Sequence, residues 1–167
     1  MYRIRIHGRG GQGIKMASRV LGTALFRSGF TVQDAPKYGA ERRGAPIFST
    51  VRAARATGEG DTIKERGVIH RPDLVVVADD TLLAVPAAGT LQGVTAATVV
   101  LVNSRETAET WRHRLNLAAT LLILPATEEA RDRAELPHIG ATCAGAAACL
   151  LGGIEPAALE AAIGEEL

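Results

Sequence analysis

Six consecutive residues, Gly8-Arg9-Gly10-Gly11-Gln12-Gly13, have the make-up of an anion cradle. Ile4 and Ile6 alternate with Arg3 and Arg5 ahead of them, the period-two pattern of a strand. Behind them Ile14, Ala17, Leu21 and Leu25, with Ala24 and Ser28, recur at helical spacing, so one stripe faces a core. Gly29 stands as a helix C-cap, and Phe30 to Asp34 reads as the next strand. A helix opening straight from a glycine turn directs its first N–H groups and its positive dipole end at whatever occupies the turn. Gly8, Gly10 and Gly13 also fit G-x-G-x-x-G, and Asp34, 21 residues after Gly13, stands about where a ribose-binding acid would sit. The same glycines would serve a plain tight turn, so both readings stand at this level.

The second unusual stretch runs from Lys37 to Pro46, where Tyr38, Glu41, Arg42 and Arg43 lie among glycines and prolines that forbid a long regular element. Arginines on such a loop present planar forks to phosphate or carboxylate, or to a partner surface. Other chemistry is sparse. His7, His70, His113 and His138 are scattered without metal-ligand spacing, and each reads as structural. Cys143 and Cys149 are too few for an iron–sulfur cluster; their spacing places them on different faces of a helix, and both read as buried small residues. Asp79-Asp80 ends an apolar strand, where α/β folds place ligands, but an N-cap for the next helix is the better reading. With no nucleophile elbow and no Walker lysine, the chain is not expected to hold a complete active site.

The elements that must position these residues alternate along the chain. Ile47–Ala53, Leu74–Asp79, Thr98–Asn103 and Leu121–Leu124 read as strands, the last three as continuous apolar runs buried on both faces. Helices are expected near Asp80–Val85, Glu128–Glu135, Thr142–Leu151 and Glu155–Ile163, with Pro156 suited to a first turn. This alternation predicts an α/β doubly wound domain: a mainly parallel, Rossmann-like sheet with helices on both faces, spanning 1–167 as one domain. No leader or membrane-length apolar run is visible, and two cysteines fit a reducing compartment, so a soluble cytoplasmic protein is expected. Net charge is +1, yet residues 1–71 carry +9 and residues 72–167 carry −8. The basic half suits a phosphorylated ligand or an acidic partner; aromatics at 4% argue against nucleic acid.

Taken together, Gly8-Arg9-Gly10-Gly11-Gln12-Gly13, then Tyr38-Gly39-Ala40-Glu41-Arg42-Arg43-Gly44-Ala45-Pro46 ahead of a strand reaching Val51-Arg52, then Pro72-Asp73 before Leu74–Asp79, resemble the gamma subunit of 2-oxoacid:ferredoxin oxidoreductases, the pyruvate type above all. The resemblance implies a subunit of an oxidoreductase that decarboxylates a 2-oxoacid on thiamine diphosphate with Mg, and passes electrons through iron–sulfur clusters to ferredoxin or another acceptor. Those cofactors would sit on partner subunits (catalytic alpha and beta and an iron–sulfur delta type), none on this chain alone. Coenzyme A would be the co-substrate. Gly8, Arg9, Gly10, Gly11, Gln12, Gly13, Tyr38, Glu41, Arg42 and Arg43 then become candidate contacts in the coenzyme A region. The chain departs from many relatives in ending at Leu167 and in having Ile139-Gly140-Ala141-Thr142-Cys143 before the Ala-rich helix. Two alternatives remain: a purely structural scaffold subunit, and a free-standing NAD(P)-binding protein.

Overall fold

Strand β1 (Tyr2–Arg9) ends in the glycine turn, and α1 (Ile14–Arg27) leaves from it. Ser28 caps α1, and Gly29 at φ +81° turns the chain into β2 (Phe30–Pro36), as a residue without a Cβ readily does. Strand β3 is Pro46–Arg55, β4 Leu74–Val77, β5 Val99–Asn103 and β6 Thr120–Leu124. Helices α2 (Ala108–Leu115), α3 (Ile139–Leu151) and α4 (Pro156–Glu166) complete the order, with 3-10 turns at Asp80–Ala84 and Pro86–Ala88. These elements come from a computed structural model that describes residues 1–36, 44–58, 60–126 and 139–167. Tyr38, Glu41, Arg42, Arg43, His138 and the expected helix at Glu128–Glu135 lie outside the described residues.

The six strands lie in the order β2-β3-β1-β4-β5-β6. Strands β1, β4, β5 and β6 pair in parallel, while β3 pairs antiparallel with both β1 and β2, so β3 alone runs against the rest. The sheet is therefore the mainly parallel α/β sheet that the apolar runs imply. One face is mainly apolar: Ile4, Ile6, Val51, Leu74, Val76 and Leu101 pack under α1, α3 and α4. On the other face Val75, Val77, Val100, Val102 and Leu121 pack under Trp111 of α2 and Leu82. Val75, Val76 and Val77 are wholly buried, each gaining about 1.5–3 kcal/mol over exposure. That is why β4 reads as an unbroken β-branched run.

Two elements differ from the sequence reading. Helix α2 was not anticipated, because Trp111 is its one buried residue and no apolar stripe announces it. Its signal is a cap: Thr107 accepts a hydrogen bond from the Thr110 N–H. Helix α3 starts at Ile139, three residues before the expected Thr142. The cysteines do fall on different faces, but only Cys143 is buried, its thiol pushed up to about 12 by burial; Cys149 is exposed, contrary to the expectation for both.

Candidate functional site at the glycine turn

Helix α1 leaves β1 for one face of the sheet, whereas the 3-10 turns and α2 that follow β4 and β5 pack on the other. The carboxyl ends of β1 and β4 therefore flank a topological switch point, where open α/β sheets form their ligand crevices. Gly8–Gly13 stands on one side of it and Asp79 on the other.

The turn is built for close backbone approach. Gly11 and Gly13 have φ of +97° and +72°, in the left-handed region that disfavours side chains. Ile14 packs against Gly8 so tightly that an added Cβ would lie 2.3 Å from its side chain. Gly13 N-caps α1 without a side-chain hydrogen bond, and the first turn carries no acidic residue. The positive end of α1 is thus not neutralised by its own side chains. The first turn of α3 comes against the same place: a Cβ on Gly140 would sit 2.6 Å from the Gly13 carbonyl oxygen and 2.9 Å from that of Gln12.

Three side chains close the crevice. The Arg9 guanidinium donates to the Gly44 carbonyl at 2.9 Å and to Thr81 Oγ1 at 2.7 Å, and its Nε lies 3.2 Å from Asp79 Oδ2. Gln12 accepts from the Arg9 N–H at 2.7 Å and donates to Asp79 Oδ2 at 2.9 Å. Asp79 caps the following 3-10 turn as expected, accepting from the Thr81 N–H, and it is also the shared acceptor of this cluster. Charge-assisted contacts of this kind contribute roughly 1.5–3 kcal/mol each when well formed. Every nitrogen of the Arg9 guanidinium is engaged within the chain. Beside the cluster, Gln12, Asp79, Asp80, Asn103, Ser104 and Ile139 line a cleft of about 460 Å³ at the carboxyl ends of β4 and β5. Its wall is tied together by Ser104, which donates to Asp80 at 2.6 Å and accepts from Trp111 Nε1 at 2.9 Å.

The turn and the arginine loop meet through backbone. Gly10 donates to the Ala45 carbonyl at 3.0 Å, and Gly44 donates to Gly10 at 3.1 Å, extending the β1–β3 ladder beyond the pair Arg9–Pro46. The last residues of the Lys37–Pro46 stretch are therefore anchored on the turn. Asp34 is a different matter. Strand β3 lies between β2 and β1, so Asp34 stands two strand spacings, about 10 Å, from the strand that carries the turn. Its carboxyl faces α1, where burial raises its pKa above the usual range and a hydrogen bond from Ser18 partly offsets this. A ribose acid supplied by the second strand is not at the turn.

Asp79, Thr81 and Gly140 were missed as parts of the site. Asp79 carried a signal in ending an apolar strand; Thr81 and Gly140 join only because the fold brings distant segments together. Among the described residues no group of three or more His, Cys, Asp or Glu could hold a metal ion, and no helix is long and apolar enough to cross a membrane.

Residues 3–167 match the family described as pyruvate ferredoxin/flavodoxin oxidoreductase. The chain is 35% identical over 163 residues to pyruvate synthase subunit PorC of Methanosarcina barkeri, covering 98% of this chain and 85% of that one. It is 34% identical to the pyruvate/ketoisovalerate oxidoreductases common subunit gamma of Pyrococcus furiosus, with the same coverage. Among solved structures, pyruvate oxidoreductase subunit PORC of Thermotoga maritima superposes with a TM-score of 0.79 at 31% identity, over 99% of this chain and 85% of that one. The fold also recurs, at 18% identity and a TM-score of 0.68, in 2-oxoglutarate:ferredoxin oxidoreductase from Magnetococcus marinus; 99% of this chain matches 27% of that one.

Proposed function

The chain belongs to the pyruvate ferredoxin/flavodoxin oxidoreductase family as a gamma subunit, and from that premise we propose how its own residues serve the reaction. The proposed reaction is oxidative decarboxylation of a pyruvate-like 2-oxoacid on catalytic alpha and beta subunits. These hold thiamine diphosphate with Mg, and a delta-type iron–sulfur subunit passes electrons to ferredoxin. The gamma chain binds the phosphate end of coenzyme A, which takes up the acyl group, and packs on the catalytic subunits in the cytoplasm.

One observation supports this reading: an N-terminus of α1 uncapped by its own side chains opens at the switch-point crevice, with the stem of the Arg42–Arg43 loop hydrogen-bonded to the same turn. In this reading Gly8, Gly10, Gly11 and Gly13 supply backbone room and N–H groups for a phosphate. Tyr38, Glu41, Arg42 and Arg43 are the further contacts in this reading, with the arginines as forked donors. Arg9 and Gln12 hold a supporting position: through Asp79, Thr81 and Gly44 they fix the turn and the loop stem relative to each other.

The test uses the assembled complex. Replacing Arg42 and Arg43 with alanine is expected to raise the apparent KM for coenzyme A about tenfold or more, one charge-assisted bond being worth roughly 1.5–3 kcal/mol. Oxoacid-dependent cluster reduction without coenzyme A, followed by stopped flow, should keep its rate. Unchanged coenzyme A dependence in an intact complex would rule out the ligand role. A parallel fall in both half-reactions, with dissociation of subunits in salt, would mark the arginines as interface residues.

A further inference from the structure

At the opposite end of β1 the sheet is covered in an unusual way. Residues 62–73 run over the second face of β1 and β3 with no helix or strand of their own. Ordered irregular segments of this length in a compact domain are uncommon and tend to carry function. What orders this one is a pair of buried arginines. Arg5 and Arg52, each 2% exposed, direct their guanidinium groups at its carbonyls: Arg5 to Ile69 at 3.4 Å, and Arg52 to Gly67 at 2.9 Å. Gln33 adds a bond to the Glu65 carbonyl at 3.1 Å, and Thr98 one to Pro72 at 2.9 Å. The His70 carbonyl packs so closely on Gly93 that a Cβ there would collide with it.

Most side chains of the segment are exposed, while those of Ile63, Ile69 and Pro72 are buried. Lys64, Arg66, His70 and Arg71 are exposed, beside an exposed Val68. Arg66, Val68, His70 and Arg71, with Arg3 and Arg52, border a groove of about 660 Å³ in which Glu65 is the lone carboxylate among the described residues; Lys64 is exposed next to Glu65 in the chain. Glu65 is already shared, 2.7 Å from Arg3 and 3.5 Å from Arg52 Nε, and the Arg3 guanidinium holds its carboxyl below the usual range. Lys64 and Arg71 make no side-chain hydrogen bond or ion pair among the described residues. Among the described residues Arg5 Nε and Arg52 Nε are buried without a hydrogen-bond partner, and Arg3, Arg52, Arg66 and Arg71 outnumber the one carboxylate lining the groove. Along β1 the groove lies at Arg3 and the glycine turn begins at Gly8, five residues or about 17 Å further on.

Resting on the subunit reading above, we propose that the Arg66–Arg71 groove, with the exposed Lys64 next to it along the same segment, is a docking surface for an acidic segment of a partner subunit. The charge favours a segment of Asp and Glu, and the exposed Val68 offers it apolar contact. Because the arginines beneath hold the backbone in place beforehand, little ordering entropy is lost on docking.

The experiment co-expresses the chain with the catalytic subunits of its complex. A zero-length carbodiimide should join Lys64 to an Asp or Glu of a partner, as identified by mass spectrometry. The double variant Lys64→Glu/Arg71→Glu should weaken association at least tenfold and flatten its salt dependence, while Lys64→Arg/Arg71→Lys should retain both. Circular dichroism of each variant confirms folding, since both residues are exposed. Absence of the cross-link together with wild-type association of the charge-reversed variant would overturn the proposal. So would protection of Lys64 from acetylation by pyrophosphate in the isolated chain with no cross-link in the complex, which would mark a small-anion site. Failure of the wild-type chain to join any catalytic subunit would instead remove the subunit reading, and this inference with it.

Discussion

Over β4, β5 and β6 the second face of the sheet buries Val75, Val77, Val100, Val102 and Leu121 beneath Trp111 and Leu82. Over β1 and β3 the same face buries Arg5 and Arg52 beneath backbone carbonyls, and His7 against Phe48. The two halves are separated by one strand spacing, since Arg5 pairs with Val75 and His7 with Val77. The apolar half gains stability from area removed from water and needs a helix to complete it. The polar half gains little from area. Its arginines serve as long, multi-donor braces that hold an irregular segment in one shape. A helix over this half would bring its own amphipathic face, whereas a braced segment leaves its outer surface open for charge. That difference separates a region built for stability from one built to be met by something else.

The comparison breaks first at Trp111. Trp111→Ala should destabilise the domain by about 3–5 kcal/mol in urea unfolding, through lost burial and the loss of its hydrogen bond to Ser104. Should that variant fail to fold, Trp111→Phe keeps a smaller ring, loses the Ser104 bond and should cost less, about 1–3 kcal/mol. A cost below 1 kcal/mol for Trp111→Ala would show that the apolar half is not organised around this ring.

Arg5→Met gives the matching experiment in the polar half. It removes the donors to the Ile69 and Thr90 carbonyls, at 3.4 and 3.0 Å, and should cost about 1–3 kcal/mol. Amide hydrogen exchange should accelerate across 63–71 while α2 stays protected. Stabilisation by methionine, as often follows when buried charges give way to apolar groups, would mean that the polar half is an ordinary core position occupied by chance.

The smallest effect is one of pH. His7 is 2% exposed, stacks on Phe48 with ring centroids 5.2 Å apart, and its Nε2 has no hydrogen-bond partner among the described residues. Burial, and then the charge of Arg5, lowers its pKa to about 3. Between about 3 and the unfolded value near 6.5 the unfolded chain therefore binds a proton that the folded chain does not. His7 thus costs stability progressively as pH falls through that window, by at most about 1.4 kcal/mol per unit. His7→Gln should flatten the difference in unfolding free energy between pH 6.5 and 4 relative to wild type. Equal slopes for the two proteins would show that His7 meets a proton acceptor in the fold.

Much of the framework was already legible in the chain. Ile4 and Ile6, Val75 to Val77 and the stripe Ile14-Ala17-Leu21-Leu25 declare strand, buried strand and helix, because burial on one face or two dictates which positions are apolar. The glycine turn was legible for the same kind of reason, since Gly11 and Gly13 adopt backbone that other residues resist. Strand β3 between β1 and β2 was not: a local pattern marks a strand but carries no record of its neighbours. That single insertion moved Asp34 from the place of a ribose acid to the far side of β3. Tertiary structure alone also joined Arg9 and Gln12 to Asp79, 67 residues beyond Gln12, and aimed Arg5 and Arg52 at carbonyls of a distant segment. Local sequence governs periodicity and backbone freedom within a few residues, whereas the partner of a charged side chain is set by which strands lie side by side.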